Sequence, residues 1–530
     1  MRTSYQPTHR RRILCVYPRY ARSFGTFQHA YAFFGGRVRA FMPPQGLLVV
    51  AAYLPESWTV RFVDENSQPA TAADFQWADA VFVSGMHIQR PQIHDIIARA
   101  HAHDRAVVLG GPSVSGCPEY YPDVDMLHVG ELGDATDRLI EYLDCTTGRP
   151  TNQLHFETKE RLPLAEFPTP AYEMIQLPEY FIANLQFSSG CPYSCEFCDI
   201  PALYGRNPRL KTPDQVLREL DLIAAAGANS VYFVDDNFIG NQKATLELLP
   251  HLVEWQTRNR YPLRFACEAT LNIAKNERVL ALMREAGFIT VFCGIETPEA
   301  DALHAISKDQ NLRMPIVEAV QRINSYGLEV VSGIILGLDT DGPDTADRII
   351  EFIHASRIPM LTINILYALP KTPLWRRLEA EGRLRSDAGR ESNVEFKLPY
   401  ETVRDMWRRC ITAAYTPEAV HARFAHNIAH TFSRRKKYPT NPQRASWTNL
   451  CMGLGILARL VWRVGVRSDY RRSFWRLAWP TLKAGDIEPL IHAAVVSHHL
   501  IEFTRDALQG LGEASFYAPT TAVPTTHRAA

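Results

Sequence analysis

Two series of short apolar runs, each followed by a helical pattern, occupy the chain up to about residue 400. In the first, RILCVYP, VRFVDE (60–65), AVFVSG (80–85), AVVLGG (106–111) and MLHVGE (126–131) are β-branched and apolar at nearly every position. Runs of that kind are buried on both faces of a parallel sheet. Between them GLLVVAAYLP, QIHDIIARAHAHD and ATDRLIEYL repeat apolar positions at helical spacing, so residues 1–150 read as a doubly wound, Rossmann-like α/β domain. A ligand of such a domain sits outside the carboxyl ends of the strands. Those ends carry Ser84, Gly110, Gly111 and Gly130, small residues that let a backbone approach a large flat ligand, although plain turn chemistry also places glycines there.

Residues 151–180, punctuated by Pro163, Pro168, Pro170 and Pro178, read as a linker. The second series then begins, with strands expected at 185–190, 230–236, 264–270, 290–296, 329–337 and 361–369 and helical segments in each gap. Six strand-helix units over residues 181–400 predict a partial (β/α)6 barrel, open on one side, with its active site at the carboxyl ends of the strands. From 401 to 516 the strand signals give way to helical, aromatic-rich sequence, and an Ala, Thr and Pro-rich tail over 517–530 is expected to be disordered. Between Arg434 and Lys483 stand twelve Lys or Arg and one acidic residue, Asp469, interleaved with Trp447, Trp462, Trp475 and Trp479. Two readings are open: peripheral contact with an anionic membrane surface, or a solvated basic helix whose tryptophans pack inward.

Composition narrows the class. Lys plus Arg and Asp plus Glu are both 57 in a 530-residue chain that is 46% hydrophobic, which describes an ordinary globular protein and gives no bulk attraction for nucleic acid. The first twenty residues lack the apolar core of a signal peptide, and no uncharged apolar run reaches membrane-spanning length, so a cytoplasmic location is expected, with peripheral contact at the inner face of the membrane left open. Of the ten cysteines only one group stands at ligand spacing.

That group is SSGCPYSCEFCDIP, which sets Cys191, Cys195 and Cys198 in a C-x3-C-x2-C array directly after the first strand of the second series. A structural zinc site needs four protein ligands, commonly as paired C-x2-C knuckles, and no second pair lies nearby in the sequence. Three thiolates suit a 4Fe-4S cluster with one iron left open to an exchangeable ligand.

With this array after the first strand of a six-unit barrel, residues 181–400 resemble the radical S-adenosylmethionine enzymes. The resemblance implies that S-adenosylmethionine chelates the open iron and is cleaved by one electron to a 5'-deoxyadenosyl radical, which takes a hydrogen atom from substrate. It also implies that Phe197 packs near the adenine and that Asp235, Asp236 and Asn237 reach the methionine amino group, with Asp-Asp-Asn in place of the family's habitual Gly-Gly-Glu. Glu268 and Glu296, at the ends of the third and fourth strands, are expected at the ribose or the methionine part. The domain at 1–150 is similar to the cobalamin-binding domains that precede such barrels in the methylating class. Its first loop lacks the D-x-H-x-x-G string that gives cobalt a histidine, leaving His29 and His87 as weaker alternatives.

From residue 12 to about 430, stretches such as RYARSFGTFQHAY, VFVSGMHIQR, LHVGELGDATDRL, VYFVDDNFIGN and FACEATLNIAK are similar to the hopanoid C-2 methylases. That resemblance implies transfer of a methyl group, through methylcobalamin, to C-2 of the A ring of a hopanoid lipid. A flavodoxin or ferredoxin would serve as electron donor, and nucleic acid is not a partner. The competing expectation keeps the same cofactors but methylates or cyclises a different lipid or pigment.

Overall fold

The computed structural model describes residue 3 and residues 5–386, 390–438 and 447–510. The expected tail over 517–530 and the basic residue Arg444 lie outside the described residues. Two compact units are present: the first comprises residues up to 21, 39–190 and 199–228, the second 22–38, 191–198 and everything from 229 onward.

The first unit is built on a parallel sheet of β1 (Arg12–Tyr17), β2 (Thr59–Asp64), β3 (Ala80–Ser84), β4 (Ala106–Gly110), β5 (Met126–Val129) and β6 (Leu154–Glu157), in the order β2-β1-β3-β4-β5-β6. Successive residues of a strand face opposite ways, and β1 feeds two cores accordingly. Ile13, Cys15 and Tyr17 pack with Leu47, Leu139 and Ile140, while Leu14 and Val16 pack with Ile93, Ile96 and Ile97. The helices on one face are therefore Gln45–Tyr53 and Asp134–Cys145, and on the other Arg90–Ala102. The prolines of 151–180 had suggested a linker, yet Leu154–Glu157 inside that stretch is β6, in register with β5 from Met126↔Leu154 to Val129↔Glu157. A four-residue strand beside so many prolines leaves too short a periodic run to read from sequence.

The first unit also holds β7 (Ala183–Leu185) and the short antiparallel pair β8 (Ser188–Ser189) and β9 (Arg209–Leu210). The strand expected at 185–190 is therefore interrupted at residues 186–187.

In the second unit β10 (Ser230–Phe233), β11 (Arg264–Glu268), β12 (Phe288–Glu296), β13 (Glu329–Leu336) and β14 (Met360–Ile365) pair in parallel, each with the next. Counted with β7, the six expected strands are all present in chain order. Beneath their carboxyl ends Phe233, Phe238, Phe265 and Phe288 pack ring on ring at 5.2–5.5 Å, all at most 2% exposed. Aromatic pairs of this kind add about 0.5–1.5 kcal/mol each to their burial. They clamp both ends of the turn that carries Asp235, Asp236 and Asn237.

β14 is the terminal strand, and helix Tyr400–Tyr415 answers its outer backbone groups. The Trp407 indole N–H donates to the Ile363 carbonyl at 2.8 Å, and the Tyr415 hydroxyl accepts from the Leu361 N–H at 2.8 Å. Unpaired strand edges invite association, so a helix that satisfies them closes the open side of the sheet. Helices Pro417–His430, Trp447–Leu460, Arg471–Lys483 and Ile487–Leu508 complete the unit, with a π-helical turn over Val461–Arg467. No helix among the described residues is long and apolar enough to cross a membrane. Residues 22–38, expected within the first domain, group with these helices instead: Phe24 meets Phe503 at 4.5 Å, and His29 holds Asp506 at 3.0 Å.

Candidate active site

The chain turns into the cysteine loop at Gly190, whose φ of +100° is open to glycine and whose absent Cβ would lie 2.8 Å from the Gly205 carbonyl. Within the second unit the loop Cys191–Cys198 is then tied from several sides. The Cys198 N–H donates to the Cys195 carbonyl at 3.1 Å, and the Glu196 N–H donates to the Ile306 carbonyl at 2.9 Å. The Glu196 carbonyl accepts from the Leu374 N–H at 2.9 Å, and its carboxylate takes a two-pronged contact from Arg377 at 2.5 and 3.1 Å. Two-pronged arginine contacts fix orientation as well as distance.

Cys195 is buried and Cys191 and Cys198 are half-buried. Burial pushes the Cys191 thiol up from its ordinary value, against the Tyr193 N–H and the Asn237 amide, which favour the thiolate. Gln310 Nε2 donates to Cys195 Sγ at 3.4 Å, and Asn237 Nδ2 approaches Cys191 Sγ at 4.0 Å. Among the described residues no three His, Cys, Asp or Glu side chains are placed to hold a single metal ion. Three thiols on one pinned loop, with amide donors aimed at two of the sulfurs, fit the donor set of a 4Fe-4S cluster with one open iron.

A polar chain links the loop to the strand ends. Asn237 Nδ2 donates to Thr270 Oγ1 at 3.3 Å, Thr270 Oγ1 to Asn272 Oδ1 at 2.6 Å, and Asn272 Nδ2 to the Tyr193 hydroxyl at 2.8 Å. Asp235 and Asn237 are each 1% exposed, just past the end of β10 rather than on the strand as expected.

Carboxylates gather at the same strand ends. Burial, then the charges of Asp236, Asp235 and Glu296, push Glu268 up to about 7, relieved by the Tyr232 hydroxyl at 3.4 Å. Glu296 stands at φ +68°, where the register of β12 against β13 shifts. Such a conformation costs of order 1–3 kcal/mol for a residue other than glycine and persists only where its surroundings impose it. The Glu296 side chain is held there by Lys308, 6% exposed, whose ammonium lies 2.5 Å from the carboxylate and 5.5 Å from the Phe197 ring centroid. Burial works against the charged form of Lys308, but Glu296, Cys195 and Cys198 together raise it above its ordinary value.

Phe197, Asp235, Asp236, Asn237, Glu268, Glu296 and the three cysteines thus lie on the loops and strand ends of one unit. A cluster of carboxylates beside a single buried ammonium, that of Lys308, suits a ligand bearing cations, such as a sulfonium with an amino group. Tyr193, Thr270, Asn272, Lys308 and Gln310 were not picked out from sequence. For Lys308 the signal available was a lysine in SKDQN shortly after a strand ending in glutamate, too common a pattern to single out.

In the first unit Ser84, Gly110, Gly111 and Gly130 stand at or just beyond the carboxyl ends of β3, β4 and β5. Gly111 has φ +90°, and a Cβ there would fall 2.4 Å from Ser84 Oγ. A Cβ on Gly130, φ +104°, would meet Thr158 at 3.0 Å, and the Gly130 N–H donates to Ser115 Oγ at 2.9 Å. These two glycines are thus required by the protein's own packing, and Gly110 has ordinary room. A better sign of a ligand is Gln45, at the start of the helix following β1: its side chain is buried, and neither polar atom has a hydrogen-bond partner among the described residues. A buried amide left so costs of order 1–3 kcal/mol unless a bound molecule satisfies it. Of the two histidine alternatives, His29 is held by Asp506 in the second unit, and the His87 ring packs on Tyr120 at 5.3 Å.

Comparison with known proteins finds three family models along the chain. The model of the B12 binding domain matches residues 32–140, that of the Radical SAM superfamily 185–353, and a domain of unknown function (DUF4070) 372–513. The chain is 59% identical over 509 residues to the hopanoid C-2 methylase of Rhodopseudomonas palustris (strain TIE-1), covering 96% of each. Its fold is similar to that of the radical S-adenosylmethionine methyltransferase TsrM from Kitasatospora setae, solved with cobalamin and a [4Fe-4S] cluster bound, with TM-score 0.59 and 15% identity over 92% of this chain and 99% of that one. It is also similar to the cobalamin-dependent S-adenosylmethionine radical enzyme OxsB, with aqua-cobalamin and S-adenosylmethionine bound, at TM-score 0.56 and 15% identity over 94% and 80% of the two chains. With a B12-binding domain, a radical S-adenosylmethionine domain and identity of this extent, the chain belongs to the cobalamin-dependent radical S-adenosylmethionine methyltransferases, in the family of the hopanoid C-2 methylase.

Proposed function

We propose that this protein methylates C-2 in the A ring of a hopanoid, using a 4Fe-4S cluster, S-adenosylmethionine and cobalamin. The observation that carries the substrate is the 59% identity with the hopanoid C-2 methylase over 96% of both chains. A saturated ring carbon has neither an acidic proton nor a lone pair, so polar methyl transfer from S-adenosylmethionine has nothing to act on. When bound, the three groups supply removal of a hydrogen atom from such a carbon and a methyl group to replace it.

The chain's own part is to bind, orient and shield. Cys191, Cys195 and Cys198 would hold three irons, and the ties to Glu196 keep their loop in one shape. Asp235, Asp236 and Asn237 would receive the amino group of S-adenosylmethionine, and Phe197 offers its ring to the adenine. Glu268, with a proton affinity near neutral pH, would donate or accept a hydrogen bond at the ribose or the methionine part. Ser84, Gly110, Gly111, Gly130 and Gln45 would line the cobalamin. The domain division that goes with this reading is 1–150 for cobalamin, apart from residues 22–38, which group with the second unit, then 181–400 for the radical chemistry and 401–516 for a further C-terminal domain.

A flavodoxin or ferredoxin would supply the electrons. A substrate dissolved in a bilayer has to be met at the bilayer's surface, so the protein would work at the inner face of the cytoplasmic membrane as a peripheral protein. The test is lipid mass spectrometry of a hopanoid-producing bacterium deprived of its own C-2 methylase, with and without this chain, under cobalamin-replete conditions. One added methyl group on ring A is the expected result. Unchanged hopanoids from cells that hold iron-loaded and cobalamin-loaded protein would overturn the substrate assignment and turn the search to other lipids or pigments.

A further inference from the structure

The outer helices of the second unit carry an apolar stripe that nothing among the described residues covers. Along Trp447–Leu460 and the following Val461–Arg467, the exposed residues include Trp447, Leu450, Leu454, Ala458, Trp462 and Val466. Steps of three or four residues put them on one helix face. From Trp447 to Val466 the stripe runs roughly 25–30 Å at the helical rise. Its tryptophans are far out in solvent, 77% exposed at Trp447 and 59% at Trp462, and Trp479 on the next helix is 57% exposed. Among the described residues seven of the ten large exposed apolar side chains lie between 447 and 487, so the exposure is concentrated rather than scattered. Concentrated apolar exposure on a folded protein marks a place where something binds.

The charges around the stripe identify the partner. Arg463, Arg467, Arg471, Arg472, Arg476 and Lys483 are all exposed. The one acidic side chain between 447 and 483, Asp469, is occupied by Arg505 at 2.7 Å. Apolar and tryptophan side chains flanked by unneutralised cations match an anionic lipid surface, where the apolar face enters the acyl boundary and the cations meet the headgroups. A second copy of this chain would bring the same six cations against these and be repelled.

We propose that residues 447–483 dock this protein on an anionic lipid bilayer, lying in the plane of its surface with the stripe from Trp447 to Val466 inserted. The proposal deepens the reading of a bilayer-resident substrate and rests on it for its purpose, but its test contains no hopanoid, so either can fail without the other.

The full chain, loaded with cluster and cobalamin, is floated with vesicles of phosphatidylcholine alone or mixed with phosphatidylglycerol. Binding is expected only to the anionic vesicles and to weaken as salt rises. Replacing Arg471, Arg472 and Arg476 together by Gln should lower the partition coefficient roughly a hundredfold, at about fivefold per charge. Leu454→Ser with Trp462→Ser should abolish the binding that remains at high salt. Cleavage of S-adenosylmethionine in detergent should stay at the wild-type rate in both variants, which shows that loss of binding is not loss of fold. Wild-type protein that stays out of the anionic vesicle layer, or variants that float like wild type, would overturn the proposal. So would a dimer that Leu454→Ser with Trp462→Ser breaks in the absence of vesicle binding, which would give the stripe to a second copy.

Discussion

Removing the Lys308 ammonium should loosen the strand that ends at Glu296. The two side chains are 8% and 10% exposed and 2.5 Å apart. At an effective dielectric of about 20 their gross attraction is roughly 6–7 kcal/mol. Most of it offsets the cost of taking both charges out of water, so the pair adds little net stability. Deleting one partner is different, because Lys308→Met leaves the Glu296 carboxylate buried and alone beside Glu268, which already feels its charge. Loss of one member of a buried pair costs about 3–5 kcal/mol. Hydrogen exchange of Phe288–Glu296 reads this locally, without assuming that the whole chain unfolds in one step. At 1.4 kcal/mol per factor of ten, a cost of about 3 kcal/mol raises the open population roughly 150-fold. Glu296→Gln added to Lys308→Met should recover most of the loss, since a neutral amide needs no counterion. Unchanged exchange in Lys308→Met, or a double variant no better than the single, would refute the reasoning.

Other outcomes follow from the same site. Glu268 binds its proton more tightly in the folded chain, at about 7, than at its ordinary 4.5, so the native state holds more protons across that window. Stability of the cofactor-free protein therefore falls as pH rises from about 4.5 to 7, by up to about 3 kcal/mol. Glu268→Gln should raise the melting temperature at pH 8 and leave it near wild type at pH 4.5; equal gains at both pH values would show that the burial cost of the charge is not the cause. Gln310→Leu removes the N–H that reaches Cys195 Sγ at 3.4 Å. A hydrogen bond to a cluster sulfur favours the more negative, reduced state. The variant's cluster midpoint potential, followed by electron paramagnetic resonance during a redox titration, should move to more negative values, and an unchanged potential would remove Gln310 from the cluster's surroundings. Cys195→Ala should leave no cleavage of S-adenosylmethionine, measured as 5'-deoxyadenosine release, and activity that survived would sink the cluster assignment.

Features that depend on neighbours along the chain were legible before any folding. Continuous apolar runs such as AVFVS and AVVLG have one low-energy use, as strands buried on both faces, and they became β3 and β4. Three cysteines within eight residues, Cys191 to Cys198, converge because a short loop cannot carry them apart. Basic and aromatic residues after Arg434 were legible as a composition.

Tertiary structure decided everything set by pairing between distant residues. Gln310 reaches Cys195 only because the segment after β12 folds back on the cysteine loop, and no spacing records a separation of 115 residues. Residues 22–38 looked continuous with the first strands, yet they settle on helix Ile487–Leu508, where His499 Nε2 meets the Ser23 and Phe24 carbonyls at 3.2 Å. The four tryptophans between 447 and 479 could have packed inward or outward on any helical pattern. Trp475 is half-buried, its indole N–H on the Gly465 carbonyl at 2.8 Å, while Trp447, Trp462 and Trp479 stay exposed. Helical periodicity fixes which residues share a face, but only the surfaces available to bury that face fix which way it turns.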